Sequence, residues 1–479
     1  MARRYLTRQE LEVLAENLSD IESIQDPFED SRSEYIESEH KSDSDSDFEI
    51  IPKKKRIIKK KYKNKLLPKT HLLITIAIWR HLARQRMKAN IGWNKVDENF
   101  VPRFSIPEER VCSILADLNR GSSELHIFMK LFPNSLFHYI AQCTNERLKI
   151  LEETTKKKQI LTDAHEIKIV IGCLLIMAYN KVPAMHHYWS SNKSLGNDAI
   201  KSAISRDRFQ LLVSKLYFSS PKKPDKCSKL YYIEDVVNCL KKTFAEIRTE
   251  SSHQSIDESM TKFKGRSTLK QYLPLKPIKR GIKIWQRCDA KSGYVYDFNI
   301  YSGKEAEVLD GTLGERVVRK LTDTVGEPNV SFCFDRFFTS VDLLDQLPFP
   351  AVGTCIASRK NMPKFEKRKR RKGEIESMHN DNGTIGFLWK DTKEVLVLSS
   401  CHRDVKIEVT RRSIDGSKIN VECPEAIGFY NANMGGVDLS DQFTGLYDID
   451  RKSLKWWKKV FYTLLLTSAV NAWIICRVA

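Results

Sequence analysis

The chain reads as an α/β protein in which a helical stretch precedes a β-rich one. Three observations carry this reading. Apolar residues recur at three- and four-residue spacing from Leu72 to about Lys241, then give way to short β-like runs from Ser255. Those runs alternate with helical segments in the order of a single α/β layer. Hydrophobic residues fill 41% of the 479 positions and charged residues 29%, enough to bury a core and unlike a disordered, collagen-like or small disulfide-scaffold chain. At ~150 residues per domain, the length suggests about three units.

The elements follow in order, beginning with a tail over residues 1–70. Met1-Ala-Arg-Arg opens on polar sequence, without the apolar run of a secretory signal. Thr7-x-x-Glu10 ahead of Leu11, Leu14 and Leu18 reads as a capping box opening a short helix. Asp20–Glu49 has few apolar residues and is expected to be disordered. Residues 1–51 hold fifteen acids against five bases, a net of −10, which leaves +29 on the rest of a +19 chain. Ser42, Ser44 and Ser46 each have an acid three residues on (Asp45, Asp47, Glu49). That is the pattern of an acid-directed kinase site, and equally of a solvated acidic linker. Lys53, Lys54, Lys55, Arg56, Lys59, Lys60 and Lys61 form a basic cluster. It fits a signal for a nuclear import receptor, hence a nuclear location, or a polybasic DNA contact.

Residues 71–250 are mainly helical, with helices expected over Leu131–Leu148, Ala164–Asn180 and Asp207–Leu216. Residues 251–360 carry strands at Ser255–Phe263, Gly281–Cys288, Tyr294–Tyr301, Val330–Phe334 and Ala351–Ile356. A helix over Val308–Leu321 falls between the third and fourth. Three strands, helix, strand, helix, strand is the order of an RNase H-like layer. Residues 361–428 read as a β-rich insertion, with a basic loop at Lys364–Lys372 and β-like runs at Thr384–Trp389, Val395–Ser399 and Val405–Thr410. Residues 429–479 return to helix from Gly436 to the end. Val460–Val478 is about long enough to span a bilayer, but Asn471 and Arg477 interrupt it, so a buried amphipathic helix and no membrane partner are expected. Eleven scattered cysteines contain no Cys-x-x-Cys pair, so reduced thiols and no zinc site are expected. His187 and His402 are isolated and are assigned to no metal.

Three acids end elements of the α/β region. Asp257 follows Ser-Ile, Asp335 ends the apolar Val330–Phe334 run, and Asp438 follows Asn433-Met-Gly-Gly-Val437. Their spacings of 78 and 103 residues mean that only a fold can assemble them. Phosphodiester chemistry uses such clusters, because hard Mg²⁺ or Mn²⁺ ions prefer carboxylate oxygen. Helix caps or surface acids are the blander reading of the same spacing.

The surrounding words are more specific. Ser255-Ile-Asp-Glu-Ser-Met-Thr-Lys-Phe-Lys-Gly-Arg266, with Lys270-Gln-Tyr-Leu-Pro274 and Lys276-Pro-Ile-Lys-Arg-Gly-Ile-Lys-Ile-Trp285, closely resembles the first catalytic block of piggyBac-type transposases. Phe334-Asp-Arg-Phe-Phe-Thr-Ser340 resembles the second, and Tyr430-Asn-Ala-Asn-Met-Gly-Gly-Val-Asp-Leu-Ser-Asp-Gln442 the third. Arg451-Lys-Ser-Leu-Lys-Trp-Trp457, Tyr188-Trp189 and Ser205-Arg-Asp-Arg-Phe209 also fit. The resemblance runs from about Phe100 to the C-terminus. It implies an RNase H-like core, a triad of Asp257, Asp335 and Asp438, and metal ligation to which Asp441 also contributes. It implies Mg²⁺-dependent cleavage of DNA ends, joining into TTAA targets, and a homodimer.

Lys262, Lys264, Arg266, Lys270, Lys276, Lys279, Arg280 and Lys283 surround the first block and are expected to meet DNA phosphates in part. Tyr272 and Trp285 could stack on bases, but core packing is the favoured reading, and at least one of Trp456 and Trp457 is expected in the core. Two departures from the family stand out. Arg336 follows the second Asp where Asn is common, so it can pair with Asp335, compete with a metal or contact phosphate. The cysteine-rich zinc region with which the family usually ends is not expected in this chain. The rival expectation is therefore a domesticated, non-enzymatic nuclear DNA-binding protein.

Overall fold

The computed structural model describes residues 92–114, 118, 121–274, 276–303, 310–412, 416–449 and 451–478. The chain divides after Leu67, and all described residues belong to its second unit. The acidic tail, Ser42, Ser44 and Ser46, and the basic cluster from Lys53 to Lys61 lie outside them.

A short strand β1 (Trp93–Lys95) comes first, followed by helices α1 (Glu124–Leu131), α2 (Asn134–Thr155), α3 (Ala164–Tyr179), α4 (Asp198–Ala203), α5 (Arg206–Lys215) and α6 (Glu234–Ile247). The helix expected over Leu131–Leu148 is α2, which starts three residues later, while Leu131 ends α1. Pro133 has no N–H to continue α1 and instead stands at the N-cap of α2, the position its fixed φ suits. Ser123 sets the start of α1, its hydroxyl accepting from the His126 N–H at 3.2 Å.

The α/β region then runs β2 (His253–Lys262), β3 (Lys270–Tyr272), β4 (Arg280–Asp289), β5 (Val295–Ile300), α7 (Leu313–Thr322), β6 (Ser331–Phe334), α8 (Val341–Gln346) and β7 (Ala351–Thr354). Helix α7 starts at Leu313, where Thr312 and Glu315 form a reciprocal capping box; Val308, where the expected helix begins, lies outside the described residues. After it come β8 (Ile375–Asn380), β9 (Ile385–Lys390), β10 (Glu394–Ser399), β11 (Lys406–Arg412) and β12 (Lys418–Pro424). Three helices close the chain, α9 (Glu425–Asn433), α10 (Gly436–Leu446) and α11 (Trp456–Val478). The continuous helix expected from Gly436 is therefore broken. Lys459 Nζ donates to the carbonyls of Ile449 (3.4 Å) and Arg451 (3.2 Å), holding the intervening turn against α11.

Ten strands form one sheet in the order β1-β8-β9-β10-β7-β6-β2-β4-β3, with β5 also paired to β4. Strand β6 is parallel to β2 and β7 is parallel to β6, while β4 and β5 are antiparallel. Strands β8, β9 and β10 extend this same sheet through β10 on β7, so only β11 and β12 form a separate ribbon. Three apolar clusters fill the layers. One joins the helical region, α11, and Ile282, Ile284 and Cys288 of β4. A second packs Ile256, Trp285, Phe332 and Phe334 against α7 and α8. The third lies between β9, β10 and α9.

Helix α11 has the length and composition to cross a membrane, yet 78% of its apolar window is buried inside this fold. Trp456 and Trp457 both pack on the first cluster, Trp457 stacking on Tyr232 at 4.4 Å. Trp285 is buried, but Tyr272 is 60% exposed, against expectation, because β3 is an edge strand and Arg280 covers its ring at 5.2 Å.

His402 is fully buried beneath Phe429, with Nδ1 2.9 Å from Ser399 Oγ and Nε2 without a partner. Burial pushes its pKa down to about 4. The unfolded chain protonates first as pH falls below about 6.5, so stability is lost between there and about 4. The expected result is that wild type loses about 2–3 kcal/mol more than His402→Gln between pH 7 and pH 4.5 in urea unfolding. Equal losses in the two proteins would remove this assignment.

Candidate functional site

Strand alternation sorts the residues of β2 onto two faces. Ile256 belongs to the cluster under α7, so Ser255, Asp257 and Ser259 face the other way, toward α10. Ser259 confirms the direction, its hydroxyl donating to Asp441 Oδ1 on α10 at 2.6 Å. The parallel register pairs Ser255 with Cys333 and Ile256 with Phe334. The next rung sets Asp335, just past the end of β6, beside Asp257, which lies in the middle of β2 rather than ending an element as expected, because β2 continues on β4 to Lys262. On β7 the register pairs Gly353 with Phe334, which brings Thr354 to the same rung. Thr354 Oγ1 lies 3.5 Å from Tyr430 Oη of α9, so that phenol overhangs the row.

Asp335 is fixed by its own turn. The Phe337 N–H donates to its Oδ1 (2.8 Å), while the Phe338 N–H (3.1 Å), Thr339 N–H (3.2 Å) and Thr339 hydroxyl (2.8 Å) donate to its carbonyl. Arg359 holds the outer side, Nη2 donating to the carbonyls of Arg336 (2.8 Å) and Phe337 (2.7 Å). Glu315 braces the turn from below, accepting from Ser340 Oγ at 2.5 Å and from the Thr312 N–H at 3.0 Å.

Helix α10 carries Asp438 and Asp441 three residues apart, hence on one face. Its approach depends on Gly436. A Cβ there would stand 2.5 Å from the Asp289 carbonyl oxygen and 2.6 Å from Ser255 Oγ, whereas one on Gly435 would meet nothing within 4 Å.

The electrostatics match this crowding. Burial pushes the Asp257 carboxyl up to about 7; Lys276 opposes this, while the charges of Glu258 and Asp335 add to it. Asp335 is raised mainly by burial, against the Phe337 N–H. Asp441 is pushed up to about 6 by burial and the Asp438 charge, against the Ser259 hydroxyl and Lys276. Lys276 Nζ lies 4.0 Å from Asp257 Oδ2 and 3.7 Å from Glu258 Oε1. Burial works against its ammonium, but the charges of Asp257, Glu258, Asp438 and Asp441 outweigh it and hold its pKa above the usual lysine value.

Of the eight cations expected near DNA, Lys262, Lys264, Arg266, Lys279 and Arg280 are exposed. Lys270 turns back to the Gly265 carbonyl at 2.9 Å. Lys276 and Lys283 turn inward, Lys283 Nζ reaching Glu258 Oε2 at 3.7 Å and the Phe337 ring at 5.0 Å. Arg336 is exposed, and its charge opposes the upward shift of Asp335.

Glu258, Tyr430 and Arg359 belong to the site without having been singled out. Glu258 stands next to Asp257 but on the opposite face, and no spacing rule marks it. Tyr430 heads the third block, the one signal that could have found it.

The donor set Asp257, Asp335, Asp438 and Asp441 is hard oxygen, the chemistry a divalent cation takes. Among the described residues, however, no three His, Cys, Asp or Glu side chains are arranged to hold an ion. The Lys276 ammonium stands among these carboxylates instead.

The family model for transposase IS4 matches residues 123–473. The chain is 27% identical over 324 residues to human piggyBac transposable element-derived protein 3, covering 64% of this chain and 54% of that one. It is 25% identical over 374 residues to human piggyBac transposable element-derived protein 2, covering 74% and 62%. It thus spans somewhat over half the length of these relatives. Among solved structures it is similar to a piggyBac transposase in a synaptic complex with hairpin DNA, with a TM-score of 0.67, 24% identity and 77% of each chain covered.

Proposed function

The chain belongs to the transposase IS4 family, in its piggyBac type, and from that premise we propose that it cleaves and joins DNA at TTAA sites through Asp257, Asp335 and Asp438. One observation carries the proposal: the β2–β6 register sets Asp257 and Asp335 side by side, and Ser259 ties Asp441 of α10, the helix that carries Asp438, to the same face. The strand order β5-β4-β2-β6-β7, with β6 and β7 parallel to β2, supports reading this region as an RNase H-like core.

In this reading Asp257, Asp335, Asp438 and Asp441 hold Mg²⁺ or Mn²⁺. A divalent ion held there would supply Lewis-acid chemistry for phosphodiester cleavage. The chain's own residues do the rest. Exposed Lys262, Lys264, Arg266, Lys279, Arg280 and Arg336 bind backbone phosphates. The turn at Phe337–Thr339 orients Asp335, and Ser259 orients Asp441. The protein acts on DNA in the nucleus, as a dimer that presents two sites to two ends.

One observation favours a second reading, a domesticated DNA-binding protein without catalysis: Lys276 already neutralises the acids, and they do not close on one point. Incubating the full chain with TTAA-flanked end DNA separates the two. Cleavage in Mg²⁺ that EDTA stops supports the enzyme. Salt-sensitive binding without cleavage supports the binder.

The tail supplies a further expected result. Deleting residues 1–51, net −10, should tighten non-specific duplex binding several-fold at about 50 mM salt, with the difference fading near about 0.5 M. Equal affinity across a fluorescence-anisotropy salt series would reject competition between tail and phosphate.

A further inference from the structure

We infer that Lys276 is a displaceable resident cation of the carboxylate cluster: its ammonium takes the place of a divalent metal, and metal binding drives it out. This rests on the metal-site reading above, but it concerns how this chain guards that site.

Lys276 sits in the β3–β4 connection, which is closed at its base by the Leu273 N–H donating to the Lys279 carbonyl at 2.9 Å. The Lys276 N–H donates to the Leu273 carbonyl at 3.2 Å, which folds the turn back over β2. From there Nζ faces Asp257 Oδ2 (4.0 Å), Glu258 Oε1 (3.7 Å) and the Glu258 carbonyl (3.4 Å). Every one of these contacts is long. A lysine built in for structure looks different: Lys458 Nζ donates to the carbonyls of Val213 and Ser214 at 2.9 and 2.7 Å, inside the core. Lys276 is held by summed charge rather than by short directional bonds, and its side chain remains 30% exposed, so a path to solvent exists.

The neighbouring cation divides the work. Lys283 is only 11% exposed, lies 3.7 Å from Glu258 Oε2, and is pinned over the rings of Phe337 and Trp285. When Lys276 leaves, Glu258 keeps Lys283 as partner, while Asp257 loses its nearest cation and becomes available to a divalent ion. Lys279 and Arg280, a few residues on in the chain, are exposed, and a DNA phosphate that meets them can also take the released ammonium.

The test is Mn²⁺ binding to the metal-free full chain, read by electron paramagnetic resonance, with thermal melts in EDTA and in Mn²⁺. Lys276→Met should bind Mn²⁺ about tenfold more tightly than wild type. It should also melt lower than wild type in EDTA and recover in Mn²⁺. Lys276→Arg, which keeps the charge, should bind like wild type, and so should Lys279→Met, which removes a charge from the same turn. Unchanged or weaker Mn²⁺ binding by Lys276→Met would overturn the inference. So would an equal gain in Lys279→Met, or Mn²⁺ binding by none of the proteins. Scoring cleavage on the same preparations keeps the two ideas apart. A chain that does not cut DNA but shows the Lys276 effect loses the enzyme reading and keeps the resident cation.

Discussion

Asp335→Ala is expected to lower Mg²⁺-dependent DNA cleavage by about 10³-fold or more while leaving the fold in place. The carboxylate stands on the same rung as Asp257 and can share a cation with it. The other oxygens near that rung are the neutral hydroxyls of Thr354 and Tyr430, and Glu258 points to the opposite face. The substitution spares the turn, because three of the four hydrogen bonds that shape it go to the backbone carbonyl of residue 335. Losing the bond from the Phe337 N–H costs about 1 kcal/mol, and removing a buried like charge beside Asp257 offsets part of that. Melting and DNA affinity should therefore stay near wild type while the rate collapses. Single-turnover cleavage within about tenfold of wild type would remove Asp335 from the chemistry.

The second large effect separates two adjacent glycines. Gly436→Ala should destabilise the protein by about 3 kcal/mol and abolish cleavage, whereas Gly435→Ala should be nearly silent in both assays. At position 436 the new methyl would press on the Asp289 carbonyl and the Ala290 Cα, and backbone atoms cannot step aside. The helix must shift instead, taking Asp438 and Asp441 away from β2. Position 435 has φ −76° and ψ 2°, open to any residue, with empty space where a Cβ would go. Urea titration together with the cleavage assay checks both, and similar behaviour of the two variants would end the argument that α10 is seated by Gly436.

Much of this was legible in the chain. The apolar run of β6 followed by an acid placed Asp335 at a strand end, and the motif around Asp257 placed it on β2. Three things were not legible. Strand β8 reads Ile-Glu-Ser-Met-His-Asn, with little strand character, and exists because β9 supplies its partner, Ile375 opposite Trp389. The join of β10 to β7 is a pairing between segments some forty residues apart, so what reads as an insertion is in the structure an extension of one sheet. The inward turn of Lys276 and Lys283 was hidden too, because a run of basic residues carries no mark of which members point back at the acids.

The pairing of β1 with β8 bears on how the chain acquires its structure. Trp93 lies opposite Asn380, so the first described strand waits for nearly three hundred more residues before its partner exists. Such long-range pairing closes slowly and late. Asp257 and Asp335 can enter the sheet while synthesis continues, but Asp438 and Asp441 arrive only with α10. During emergence from the ribosome Lys276, made between the two sheet acids in time, is thus already at hand when Asp438 and Asp441 add their charges around it. The repulsive centre of the molecule is assembled last, on a scaffold that has by then become able to bear it.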